Sequence, residues 1–194
     1  MSSLWIDLAA VALILINMAL GWRFGVIGRA LALGGLYGGV AAASALGNGL
    51  LRFFGGGGAA NDLYSSAWTF IGIIFVVVAM VEILGGLYRD RVEKVISLMF
   101  ERTAGVVGGL IIGVLEAAVV IMVALAVGDA HPTATARQLP SDHANPANAV
   151  RNSLFGSHIA GLDPAMQAFF GPALPANLSG HLVDTTTAST ATPR

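Results

Sequence analysis

The sequence predicts an all-α membrane protein: a polytopic bundle of four transmembrane helices, followed by a C-terminal tail that is first amphipathic and then disordered. Three observations carry this prediction. Of the 194 residues, 56% are hydrophobic and only 11% charged, against roughly 25% charged in soluble domains. Apolar runs fill residues 4–21, 26–46, 68–88 and 104–127, each close to the length of about 20 residues that a helix needs to cross hydrocarbon. None of these runs alternates apolar and polar residues as a barrel strand does, so helices remain as the way to bond the backbone internally in lipid.

The first run opens with Trp5, suited to an aromatic belt, and Asp7, close enough to the membrane edge for water to reach it. No basic residue precedes it, so it reads as a span and not as a cleaved leader. Arg23 and Arg29 flank the turn into the second run, and Arg89, Arg91, Lys94 and Arg102 follow the third. The segment between the second and third runs offers only Arg52 against Asp62. Basic residues near span ends favour the cytoplasm, which places both termini outside it.

Between the third and fourth runs, Val92, Val95, Ile96 and Met99 recur at helical spacing. They predict either an interfacial helix under anionic headgroups or a plain helical connector.

Residues 129–148 lack periodicity and read as a linker. Residues 149–178 recover an apolar pattern, with Val150, Leu154 and Phe155 grouped and with Asp163 and Pro164 as a helix start. They predict short amphipathic helices on the extracytoplasmic surface. Residues 179–194 read as disordered.

Small residues recur every four positions in two spans: Gly105, Gly109, Gly113 and Ala117 in the fourth, Gly35, Gly39 and Ala43 beside Gly34 and Gly38 in the second. Such a repeat drifts slowly round a helix of 3.6 residues per turn and forms a groove. In lipid a groove of this kind lets two helix backbones approach closely. The glycines lack the preceding strand and the Lys-Ser/Thr pair of a phosphate loop. The two grooves are therefore expected to pack against each other, with one of them available for a homo-oligomer or another membrane or envelope protein.

Two carboxylates fall inside spans: Glu116 near the middle of the fourth and Glu82 nearer the cytoplasmic end of the third. A carboxylate at the midplane costs about 2.5–3.5 kcal/mol on insertion scales, so each needs a partner or a watery cavity. Counted by depth, Tyr37 is the expected partner of Glu116, and Arg29 or Asn17 that of Glu82. Satisfied structure and ion coupling are the two roles open to these groups.

The chain has no cysteine, which removes disulfides and thiolate chemistry. The four histidines, His131, His143, His158 and His181, lack ligand spacing, and no serine, histidine and acid set suggests a nucleophile. No catalytic, cofactor-binding or metal-binding residue is assigned. No basic tract points to nucleic acid, so the expected surroundings are membrane lipid and membrane proteins.

The stretches "LWIDLAAVALILINMALGWRFGVIGRALAL", "VISLMFERTAGVVGGLIIGVLEAAVV" and "VRNSLFGSHIAGLDPAMQAFFGPALP" resemble, in order and spacing, the colicin V production protein family of bacterial inner-membrane proteins. Where that family commonly has an aspartate before the fourth helix, this chain has Glu101. The resemblance implies a non-enzymatic inner-membrane protein serving toxin production or secretion, or envelope maintenance. Some relatives join the same helices to a periplasmic serine protease, which this sequence does not contain. The other reading is a small proton- or ion-coupled transporter or channel subunit acting as an oligomer.

Overall fold

The computed structural model describes residues 3–53, 62–88, 98–131, 141–175 and 177–187. Among them the chain forms helices and turns with no strand. Three helices are long and apolar enough to cross a membrane: α1 (Ser3–Phe53), α2 (Asp62–Tyr88) and α3 (Leu98–Gly128). Four short helices follow, α4 (Asn145–Arg151), α5 (Leu154–Ala160), α6 (Asp163–Phe170) and α7 (Leu178–Thr187).

α1 is not one straight rod. Gly25 interrupts it with φ 70° and ψ −174°, a backbone region open essentially to glycine alone. The Arg29 guanidinium donates to Asn17 Oδ1 at 2.9 Å, although twelve residues of straight helix would separate their backbones by about 18 Å. The chain therefore folds back at Gly25 into two arms, 3–24 and 26–53.

Contacts with α3 give the same answer. Gly105, Gly109 and Gly113 meet Gly21, Asn17 and Ile14 in turn, so the first arm runs antiparallel to α3. Gly108 meets the Arg29 stem, and Glu116 shares a small apolar cavity with Leu36, so the second arm runs parallel to it.

The glycine grooves do not pack against each other as the sequence led us to expect. The α3 groove receives the first arm, where a side chain on Gly105 or Gly109 would run into backbone of Gly21 or Asn17. Gly35 and Gly39 receive α2, at Val78, Val81 and Ile74. The hairpin at Gly25 causes this exchange, because it delivers the first arm to α3 and turns the second arm's groove toward α2. Gly34 and Gly38 are exposed, with no atom within 4 Å of where a side chain would begin.

The short helices gather at the end of the bundle away from Gly25. Ala147 of α4 rests against Gly128, and Ser44 Oγ donates at 2.7 Å to the carbonyl of Ala173, just past α6. Residues 179–187, expected as the start of a disordered tail, instead belong to α7. Leu182 and Val183 are buried there, and the His181 ring meets Phe70 of α2 edge-on. Asn177, part of an Asn-Leu-Ser sequence, accepts from the Gly180 amide and caps this helix. Val150 is buried but Leu154 and Phe155 are exposed, so these three do not group. Ser153, in extended conformation, separates α4 from α5 and resets the helical phase. Of the amphipathic stretch before α3, residues 89–97, with Val92, Val95 and Ile96, lie outside the described residues, while Met99 falls in the first turn of α3.

The two kinds of glycine should differ on substitution. Gly109→Val should destabilise the folded bundle by about 1–3 kcal/mol, the range for an overpacked core. Gly38→Val should change it by less than about 0.5 kcal/mol, as at an open surface site. Unfolding of the purified protein in mixed micelles, compared between the two variants, checks this contrast.

Candidate functional site

Four polar groups inside the bundle, Glu82, Arg29, Asn17 and Glu116, form one connected chain. Arg29, on the second arm one helical turn past Gly25, is 2% exposed. It donates through Nη2 to Glu82 Oε1 of α2 at 2.6 Å and through Nη1 to Asn17 Oδ1 of the first arm at 2.9 Å. Asn17 Nδ2 donates in turn to Glu116 Oε2 of α3 at 2.7 Å and to the Leu13 carbonyl at 3.1 Å. One residue from each arm and each of the other two long helices is thereby joined.

Donor and acceptor chemistry fixes the order. A guanidinium only donates and a carboxylate only accepts. Asn17 carries one group of each kind, so its oxygen faces Arg29 and its nitrogen faces Glu116. Arg29 Nε, buried, has no hydrogen-bond partner among the described residues.

The expected contact of Glu82 with Arg29 is present, and Asn17 lies one bond further along, reached through Arg29. The expected bond from Tyr37 to Glu116 is absent. Tyr37 stacks on Phe170 with ring centroids 6.0 Å apart and meets Phe169 edge-on at 6.1 Å. Its neighbour Leu36 faces the Glu116 cavity instead. Depth along a helix was a sound guide to layer, but rotation about the helix axis decides the partner.

Two further carboxylates gain importance from the fold. Glu101 is 3% exposed and lies in the notch above Gly25, where a side chain on that glycine would stand. No described residue bonds its carboxylate. It stands four residues before Gly105 and so extends the repeat of 105, 109 and 113, which is the signal that places it on the same seam. Asp7 accepts from the amides of Phe155 at 2.7 Å and Leu154 at 3.2 Å, joining the start of the first arm to α5. Nothing in the sequence around Asp7 announces that contact.

At the Gly25 end, the Arg102 guanidinium lies 5.8 Å from the exposed Trp22 ring. The aromatic and basic pairing is typical of a membrane interface. Of the histidines, His158 Nδ1 lies 2.7 Å from the Leu154 carbonyl and His131 Nδ1 2.6 Å from that of Asp129, each a local contact.

Long apolar helices joined through a buried ion pair and its amide bridge define a helical membrane protein. Comparison with protein families agrees: the model described as Colicin V production protein matches residues 6–164, and the chain belongs to that family. No curated protein and no solved structure matches it.

The network's bonds are separable by double-mutant cycles. Asn17→Ala with Glu116→Leu should show a coupling of about 0.6–1.7 kcal/mol, as for hydrogen bonds between membrane helices. Tyr37→Phe with Glu116→Gln should show none. Arg29→Met alone leaves Glu82 without its cation and should cost about 3–5 kcal/mol, much of which Glu82→Leu should restore.

Proposed function

We propose that this chain is a non-enzymatic protein of the bacterial inner membrane, crossing it four times with both termini outside the cytoplasm. It serves toxin production or secretion, or envelope maintenance, by presenting a fixed helical surface to a second copy or to another membrane protein. The observation that carries this reading is the closure of the polar chain. Glu82, Arg29, Asn17 and Glu116 bond to one another across all the long elements, an arrangement that fastens helices in register. Family membership supports the setting. The reversal at Gly25, which divides α1 into two arms each long enough to span, supports four passes.

One observation favours a second reading, a small proton- or ion-coupled subunit acting as an oligomer. Glu101 and Glu116 are buried on α3, Glu82 is half-buried on α2, and Arg29 is the one buried guanidinium among the described residues. The excess negative charge is of the kind that a proton or cation balances in transporters.

Glu116→Gln separates the two. Under the first reading it leaves copurification of the native partner intact and does not alter acid uptake by liposomes holding the protein. Under the second, the wild type admits acid and the variant does not. For orientation, cysteines replacing Arg102 and Asn152 should differ in intact cells with permeabilised outer membranes. A membrane-impermeant thiol reagent should reach position 152 and not 102, and the opposite pattern would reverse the topology.

A further inference from the structure

We infer that α5 and α6 are immersed in the bilayer leaflet away from the Gly25 turn, with lipid as the occupant of their exposed apolar side chains. The inference rests on the four-pass reading above, in which Gly25 marks one membrane face.

Depth is the first argument. With Gly25 as origin, Asp7 lies eighteen residues back along the first arm, about 27 Å away at 1.5 Å per residue. Tyr37 lies twelve residues along the second arm, about 18 Å away. Hydrocarbon is about 30 Å thick, so both points fall within it. Asp7 holds the start of α5, and the rings of Phe169 and Phe170 at the end of α6 meet Tyr37. The segment thus enters near the far boundary and reaches well below it. Asp163, at the opposite end of α6, accepts from Gln167 of the same helix.

Backbone bonding is the second argument. The first four amides of a helix have no partner within it and are ordinarily left to water or caps. In α5 all four are met: Ser153 donates to the Val150 carbonyl, Leu154 and Phe155 to Asp7, and Gly156 to Ser153 Oγ. Beyond α6, the Ala173 carbonyl is met by Ser44 Oγ. Complete pairing of this kind is what a segment deprived of water requires.

Continuity is the third. Leu154 is 75% exposed and Phe155 48%, beside the first arm's Leu4 at 71% and Leu8 at 55%. Phe169, 46% exposed, extends the same apolar surface onto the second arm. The lipid-facing surface of the bundle thus continues onto Leu154, Phe155 and Phe169 of the short helices, beside exposed Ser157, His158 and Gln167, whose polar atoms bond within their own helices. Asp7 is the positioning residue that holds α5 in it.

The absence of native cysteine makes the test direct. Single nitroxide labels at positions 155 and 169 of the full chain in phospholipid vesicles should collide with dissolved oxygen more than with a water-soluble nickel chelate. Labels at Leu15 and Ile83 serve as bundle controls, and one at Asn152 as a water-exposed control. In a Asp7→Asn background the label at 155 should shift toward the nickel chelate while those at 15 and 83 stay unchanged. If 155 and 169 behave like 152 while 15 and 83 lie in lipid, the immersion is wrong and the four-pass reading stands. If 15 and 83 also face water, the four-pass reading itself has failed. Labels at 155 and 169 shielded from both reagents would assign the surface to a second protein and overturn the lipid assignment.

Discussion

The reversal at Gly25 is the constraint on which the rest of the structure depends. A straight α1 of 51 residues would extend about 77 Å, more than twice the thickness of hydrocarbon. A residue with a Cβ is strained at φ 70°, and a side chain at that position would also collide with Glu101. Folding back there sets the two arms antiparallel and gives α3 a neighbour on each. It also brings Asn17 opposite Arg29. The bond from Arg29 to Asn17, which links the two halves of the polar chain, follows from that one turn.

Close packing and the polar chain are one structure. Gly108 lies against the Arg29 stem, Gly109 against the Asn17 backbone, and Gly113 against the Asn17 Cβ. Bulk at these positions would push the first arm and α3 apart and lengthen the bond from Asn17 to Glu116. The polar bonds in turn fix the register of the glycine contacts. Small residues tolerate sliding, whereas a shift of one turn would leave a guanidinium or carboxylate unpaired in a medium where that is costly. Glycine supplies the proximity and the ion pair with its amide bridge supplies the uniqueness.

The C-terminal segment belongs to the same assembly. Asp7 ties α5 to the first arm, Ser44 and Tyr37 tie the end of α6 to the second, Phe70 of α2 receives α7, and Gly128 of α3 receives α4. All the long elements are therefore joined twice, once through the polar chain and once at the end remote from Gly25.

Composition by itself determined that the protein is helical and made for a membrane, since runs of apolar residues and scarce charge are properties of the chain read in order. It also narrowed the partner of Glu82 to Arg29 or Asn17, the polar groups at similar depth, and the fold selected Arg29. Which groove holds which helix was decided only by the tertiary structure. The repeat of Gly105, Gly109 and Gly113 defines a face but not its occupant, and the turn at Gly25 awarded it to the first arm. Depth offered Tyr37 to Glu116 and Asn17 to Glu82, and rotation about each arm's axis sent the tyrosine to Phe170 and the asparagine to Glu116. The burial of Glu101 and the helix at 178–187 likewise depend on neighbours distant in sequence: Gly25 for the first, α2 and α3 for the second. Apolar length and charge are local quantities, and the choice of partner is a property of the assembled bundle.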